Sequence, residues 1–169
     1  MPITNGFSKS INDLTPLVKK KWEALIAAWK LSDGFKKFGA PIVTMTLRTV
    51  ECQLALIAQG RESLNSVNAK RAKCGMYLLK DSENKSPVSW IKPENVKTAP
   101  HCVGIAVDFF LDSNRDGKVD SKDWIEDDGF IAFGKFAKTQ GWTWGGNVKV
   151  GGDFKNSSDL PHIQYDKKV

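Results

Sequence analysis

Histidine is almost missing from this chain: its 169 residues include two, His101 and His162. Cysteine is nearly as scarce. Cys52, Cys74 and Cys102 form no C-x-x-C pair, which excludes a cysteine-based zinc knuckle and a thioredoxin-type redox motif. An odd count of unpaired spacing suits a reducing compartment, so all three are expected as small buried or half-buried thiols. No run approaches the 18 or more apolar residues of a membrane span. The start, Met1-Pro2-Ile3-Thr4-Asn5-Gly6, has no basic segment leading into an apolar one, so synthesis in the cytosol without a standard export signal is expected. Internal repeats, low-complexity tracts and linkers are missing too, and the expectation is one domain over residues 1–169.

What is present is an ordinary globular composition, 41% hydrophobic and 26% charged, with a formal net charge of +6. The sign is unevenly placed. Residues 108–128 hold eight acids against three bases, a local −5, which leaves +11 for the remainder. A basic exterior suits nucleic acid, anionic lipid or an anionic polymer. With no helix-turn-helix, zinc-finger or RNA-binding aromatic motif, nucleic acid is set aside in favour of cell-wall polymer or membrane phosphate.

Hydrophobic periodicity predicts a helix over 12–30, where Leu14, Val18, Trp22, Leu25, Ile26 and Trp29 recur at three- and four-residue spacing, ended by Asp33-Gly34. A β-branched, alternating strand over 41–47 delivers Arg48 to its end, and a helix over 49–59 follows with Val50, Leu54 and Ile57 inward. Residues 61–99 read as a partial helix over 63–73 and a turn-rich connection over 80–87. Residues 104–111 are nearly continuous in apolar side chains, as a central strand is. A helix from Asp127-Asp128 to about 139 presents Phe130, Ile131, Phe133 and Phe136 to the core, and short strands are expected over 142–144 and 162–165. The fold class is α+β: helices packed on a small, mainly antiparallel sheet.

Both histidines sit beside carboxylates at motif spacing. His101 opens His-x-x-Gly-x-Ala-x-Asp, ending at Asp108, and His162 closes Asp159-Leu160-Pro161-His162. Catalytic zinc takes three N or O protein ligands and keeps one position open. His101, Asp108 and His162 make such a set, and Asp159 remains as a spare carboxylate to accept the proton of an attacking water. Cys102 beside His101 is rejected as a nucleophile, because neighbours in an extended segment point to opposite faces.

A second pattern follows. Residues 112–123 match a twelve-residue calcium loop, with Asp112, Asn114, Asp116, the Lys118 carbonyl, Asp120 and Asp123 as oxygen ligands and Gly117 at the sharp turn. Asp123 stands where glutamate is usual, and its shorter reach predicts weak affinity.

The two histidine motifs, Leu47-Arg48-Thr49-Val50-Glu51-Cys52-Gln53 with Leu56-Ile57-Ala58-Gln59-Gly60-Arg61, and Gly141-Trp142-Thr143-Trp144-Gly145-Gly146 occur in one order from about 14 to 164. In this the chain resembles the zinc peptidases related to D-alanyl-D-alanine carboxypeptidases (VanY-like), above all the phage endolysins that are L-alanyl-D-glutamate peptidases. Ala99 departs from the family's usual serine at that position. The resemblance implies a D-Ala-D-Ala carboxypeptidase/hedgehog-like fold and a monomeric enzyme acting on peptidoglycan, without membrane insertion. It would be made in the host cytoplasm and reach the periplasmic wall by holin-type release, to cause host lysis. It implies Arg48 as the cation steadying an oxyanion or a substrate carboxylate, with a salt bridge to Glu51 as the alternative. Gln53 is read as positioning peptide or supporting Arg48, and Trp144 as a core residue or a groove-lining one. Rival readings are a D-alanyl-D-alanine carboxypeptidase and a non-catalytic, calcium-dependent binding domain.

Overall fold

The computed structural model describes residues 6–119, 127–155 and 157–166. It is α+β. Four antiparallel strands make the main sheet, in the order β2 (Ala40–Met45), β4 (Ala106–Asp112), β6 (His162–Gln164) and β5 (Thr143–Trp144). A two-stranded ribbon pairs β1 (Phe7–Ser8) with β3 (Leu47–Arg48). The strand expected over 41–47 is thus divided. Its register shifts between Val43 and Met45, and at buried Thr46 the backbone N–H donates to Ser8 O at 2.7 Å, turning the chain from one sheet into the other.

Helix α1 (Pro16–Trp29) starts four residues later than its periodicity suggests. Thr15 caps it, Pro16 takes the first turn where no amide donor is needed, and Ile11–Asp13 is a separate 3-10 turn capped by Ser10. Asp33-Gly34 does not stop the helical region either. Ser32 caps a new helix, α2 (Asp33–Phe38), by accepting from Phe35 N–H at 3.1 Å.

One face of β4 supplies Val107, Phe109 and Leu111 to the main core, against Trp22, Leu25 and Trp29 of α1 and Phe130, Phe133 and Ala137 of α5 (Asp127–Thr139). Ile131 and Phe136, expected in the core, are half-buried at its edge. Phe133 is fully buried with its ring 4.6 Å from that of Phe109 and 5.1 Å from that of Trp29. Truncating it to Ala would cost about 3–5 kcal/mol. Strand residues alternate sides, so Asp108 points away from this core.

Helices α3 (Val50–Ala58) and α4 (Leu64–Lys73) pack against one another. The inward face of α3 is Cys52, Gln53, Ala55, Ile57 and Ala58; Val50 and Leu54, expected inward, are half-buried. Cys52 is disulfide-bonded to Cys74, just past α4, across a Cα–Cα distance of 5.5 Å, which corrects the expectation of three free thiols. The region 61–99 is compact rather than loose. Val67 and Leu79 pack with Ala58, and buried Arg71 donates to Tyr77 O and Gln59 Oε1. Among the described residues no helix is long and apolar enough to cross a membrane.

Candidate metal centre

Asp108 and His162 are register partners across the β4–β6 ladder, which sets both side chains on the sheet face opposite the aromatic core. His101 arrives from the turn before β4. Gly104 makes that turn possible: it has φ +69°, and a Cβ there would lie 2.9 Å from Asp13 O. The His101 carbonyl accepts Arg48 N–H at 3.0 Å, tying this turn to β3.

Three ligand atoms converge. Asp108 Oδ1 lies 3.0 Å from His101 Nε2 and 2.9 Å from His162 Nδ1, and the two nitrogens are 3.2 Å apart. Both histidines are buried. Among the described residues this is the one group of three or more such side chains able to hold a metal ion.

The hydrogen bonds on the far side of each ring define what the near side offers. His101 Nδ1 is 3.2 Å from Thr46 O, which can only accept, so Nδ1 carries the hydrogen. His162 Nε2 is 3.1 Å from Gln164 Oε1, and that amide's orientation is determined because its Nε2 donates to Asp166 at 3.0 Å. In the neutral rings, His101 Nε2 and His162 Nδ1 are therefore lone pairs, aimed with a carboxylate oxygen at one point. Three acceptors facing one another in a buried site call for a cation. The edges of the triangle also suit one: tetrahedral zinc with bonds of ~2.0–2.1 Å separates its ligand atoms by about 3.3 Å. Outer partners such as Thr46 O and Gln164 are what metal-binding histidines ordinarily have.

Burial would raise the Asp108 carboxyl, but hydrogen bonds and charge from His101 and His162 outweigh it and hold the carboxyl well below the usual range. Burial would lower His162, and Asp108 more than reverses that.

The triad opens onto a cleft of about 600 Å³ lined also by Arg48, Gln53, Val88, Ser89, Trp90, Ile91, Phe154, Lys155 and Asp159. Asp159 keeps solvent access at the cleft wall, yet the surrounding protein holds its carboxyl above the usual value, chiefly by desolvation and with a contribution from Asp108. The loop carrying it is closed by Asp159 N–H to Gly145 O (2.8 Å), Gly145 N–H to His162 O (2.8 Å) and His162 N–H to Asp159 O (3.1 Å). A Cβ at Gly145 would lie 2.4 Å from Asp159 O, so this approach requires glycine.

Arg48 lies in the same cleft. Its Nη1 donates to Gln53 Oε1 at 2.7 Å, and its buried Nε has no partner. Desolvation lowers its pKa, opposed chiefly by the negative charge of Asp108 and also by that of Asp159. No ion pair joins it to Glu51 among the described residues. Gln53 is buried between Arg48 and Ser89, whose hydroxyl accepts from Gln53 Nε2 at 3.0 Å, and it lines the same cleft.

One expected residue falls elsewhere. Trp144 is fully buried, its indole N–H donating to Leu160 O at 2.9 Å, and it does not line the cleft. Aromatic packing against α5 outweighs groove exposure there. Cys102 occupies a turn, not an extended segment; its Sγ faces Thr49 O at 3.9 Å and burial pushes the thiol pKa up, which disfavours a nucleophilic thiolate.

In the acidic loop, Asp112 is buried at the end of β4, and its carboxylate oxygens accept from Asp116 N–H and Gly117 N–H, both at 3.0 Å. Asn114 Oδ1 also accepts from Asp116 N–H, and Asp116 from Lys118 N–H. Asp120 and Asp123 lie outside the described residues.

Among the cleft residues that sequence reasoning missed are Gln164, the segment 88–91, and Asp153, Phe154, Lys155 and Ser157. Gln164 was open to inference, being two residues from His162 on the same strand face. Nothing local marks Trp90. No protein-family model matches the chain, and no curated protein matches it significantly.

Proposed function

We propose that this chain is a zinc endopeptidase of the phage-endolysin type, hydrolysing the L-alanyl-D-glutamate bond of bacterial peptidoglycan stem peptides. The observation that carries the reading is the convergence of His101 Nε2, His162 Nδ1 and Asp108 Oδ1 in a cleft that also holds Asp159 and Arg48. His101, Asp108 and His162 would hold zinc, which when bound would supply a Lewis acid for the scissile carbonyl and lower the pKa of an attacking water toward ~7. Asp159 accepts the proton of that water and passes it to the leaving amine. Desolvation raises its carboxyl above the ordinary aspartate value, the direction that makes a carboxylate a better proton acceptor. Arg48, permanently charged and with an unmatched buried donor, binds a substrate carboxylate or the negative charge developing on the carbonyl oxygen. Gln53 and Ser89 hold it in place.

The second metal of this reading is calcium, held by Asp112, Asn114, Asp116, the Lys118 carbonyl, Asp120 and Asp123, the pattern of the sequence loop. Asp112 and Asp108 share strand β4, four residues apart, so ordering the loop bears on the zinc ligand. The enzyme acts at the wall after release from the cytoplasm where it is made, and gains activity from the higher calcium there.

Mass analysis of purified peptidoglycan after digestion tests this. New fragments ending in L-alanine on the sugar side are expected. Release of terminal D-alanine alone would make the chain a carboxypeptidase, and no new fragment from zinc-loaded protein would leave it a binding domain.

A further inference from the structure

The cleft has a wall that neither metal ligation nor proton transfer uses. Trp90 and Val88 line it while remaining 70% and 53% exposed. Between them Ser89 is buried. Its hydroxyl accepts from Gln53 Nε2 (3.0 Å) and Ile91 N–H (3.3 Å), and its carbonyl accepts from Arg61 Nη2 (2.8 Å). Among the described hydrogen bonds the segment is fastened through Ser89, and the residues on either side, which share a face in an extended chain, are turned outward. The same Gln53 that holds Arg48 holds this wall, so the two keep a constant relation.

We propose that Trp90, with Val88, forms a subsite for the sugar ring that bears the stem peptide. The inference rests on the reading above. An L-alanyl-D-glutamate bond lies one residue from the lactyl group that joins peptide to sugar, so a cleft centred on that bond has the pyranose ring within reach. An indole face offers a pyranose the flat apolar surface that its axial C–H groups require, and the indole loses few rotamers on binding. The cleft's cations, Arg48 and Lys155, match the carboxylates of the peptide instead. Trp90 therefore selects the sugar-bearing end, while the charged residues select the peptide.

The test is calorimetric titration of the zinc-loaded full chain carrying Asp159→Asn, which spares the ligand from turnover. The probes are an N-acetylmuramyl stem peptide and the same peptide without sugar, the free peptide serving as reference in each protein. The sugar-bearing probe should bind about tenfold more tightly, the range of a good aromatic contact. Adding Trp90→Ala should bring the two affinities close to equal, and Trp90→Phe should restore part of the difference. No preference in the parent, or a preference that survives Trp90→Ala at equal zinc content, would overturn the subsite. Because binding is read rather than cleavage, a Trp90-dependent preference in a protein that cuts another bond would uphold the subsite and reject the bond assignment alone.

Discussion

Asp108 and His162 face one another across adjacent antiparallel strands, and their ligand atoms are 2.9 Å apart although 54 residues separate them in the chain. Paired strands are among the stiffest elements a fold offers, so two of the three ligands are positioned before any ion binds. His101, the third member, is held on a turn by Thr46 and Arg48.

His162→Ala removes a ligand and leaves Asp108 with one imidazole. Bound zinc, measured by atomic emission on dialysed protein, should fall from one per chain to a small fraction, with activity reduced to background. Gln164→Leu is the finer probe. It keeps all three ligands but removes the acceptor that orients His162, and a loss of zinc affinity of about 10–100-fold is expected. Unchanged affinity in both variants would refute the ligand assignment.

Asp159→Asn should keep zinc and lose activity by a factor on the order of a hundred or more. In the parent, desolvation raises the carboxyl, so the base is ionised only above that raised value and activity should fall as pH drops through it. That acid limb should vanish in the residual activity of the variant. Stability has the opposite sign. A raised folded-state pKa favours folding below the ordinary aspartate value, and this contribution is lost as pH rises through the raised one, so the asparagine variant should melt higher at neutral pH.

Arg48→Lys replaces a fork with a point charge and cannot reproduce both the contact to Gln53 and a second one toward substrate. A drop in kcat/KM of roughly ten- to a hundredfold is expected, with zinc content intact. Gln53→Leu should reproduce part of that loss without touching substrate itself. Full activity in Arg48→Lys would reduce this residue to a packing role.

Cys52 and Cys74 close a loop with a sequence separation of 22. Losing that cross-link should cost about 3 kcal/mol through the unfolded chain's entropy. Cys52→Ser, Cys74→Ser protein should therefore unfold at lower denaturant than the oxidised parent, and reductant should lower the parent toward it. Equal midpoints with and without reductant would show that the bond adds nothing to stability.

Calcium should raise the activity of zinc-loaded protein over the range of ~10⁻⁴ to 10⁻³ M. The Asp112→Ala, Asp116→Ala variant should show no response. Equal lysis rates with and without calcium, under a chelator that spares zinc, would leave the loop a structural turn.

Much of this was readable in one dimension. Periodicity placed α1, α3, β4 and α5 to within a few residues, because each buries one face and the pattern of apolar side chains is that face written out. Part of the His101, Asp108 and His162 cluster that could hold a metal was legible for a similar reason: His101 and the carboxylate on the strand that follows are linked by a short turn, and turn geometry constrains spacing. Three things were decided only by the folded chain. Cys52 and Cys74 meet because α3 packs on α4, and an odd cysteine count carries no pairing. Trp144 is buried because α5 closes over it, and a tryptophan in a short strand has no local signal for which side is covered. Trp90 reaches the cleft because Ser89, in a segment with no periodicity, is captured by Gln53 thirty-six residues earlier. Local order follows from neighbouring residues, whereas these contacts depend on which distant surfaces close together, and that is determined by the packing of the whole.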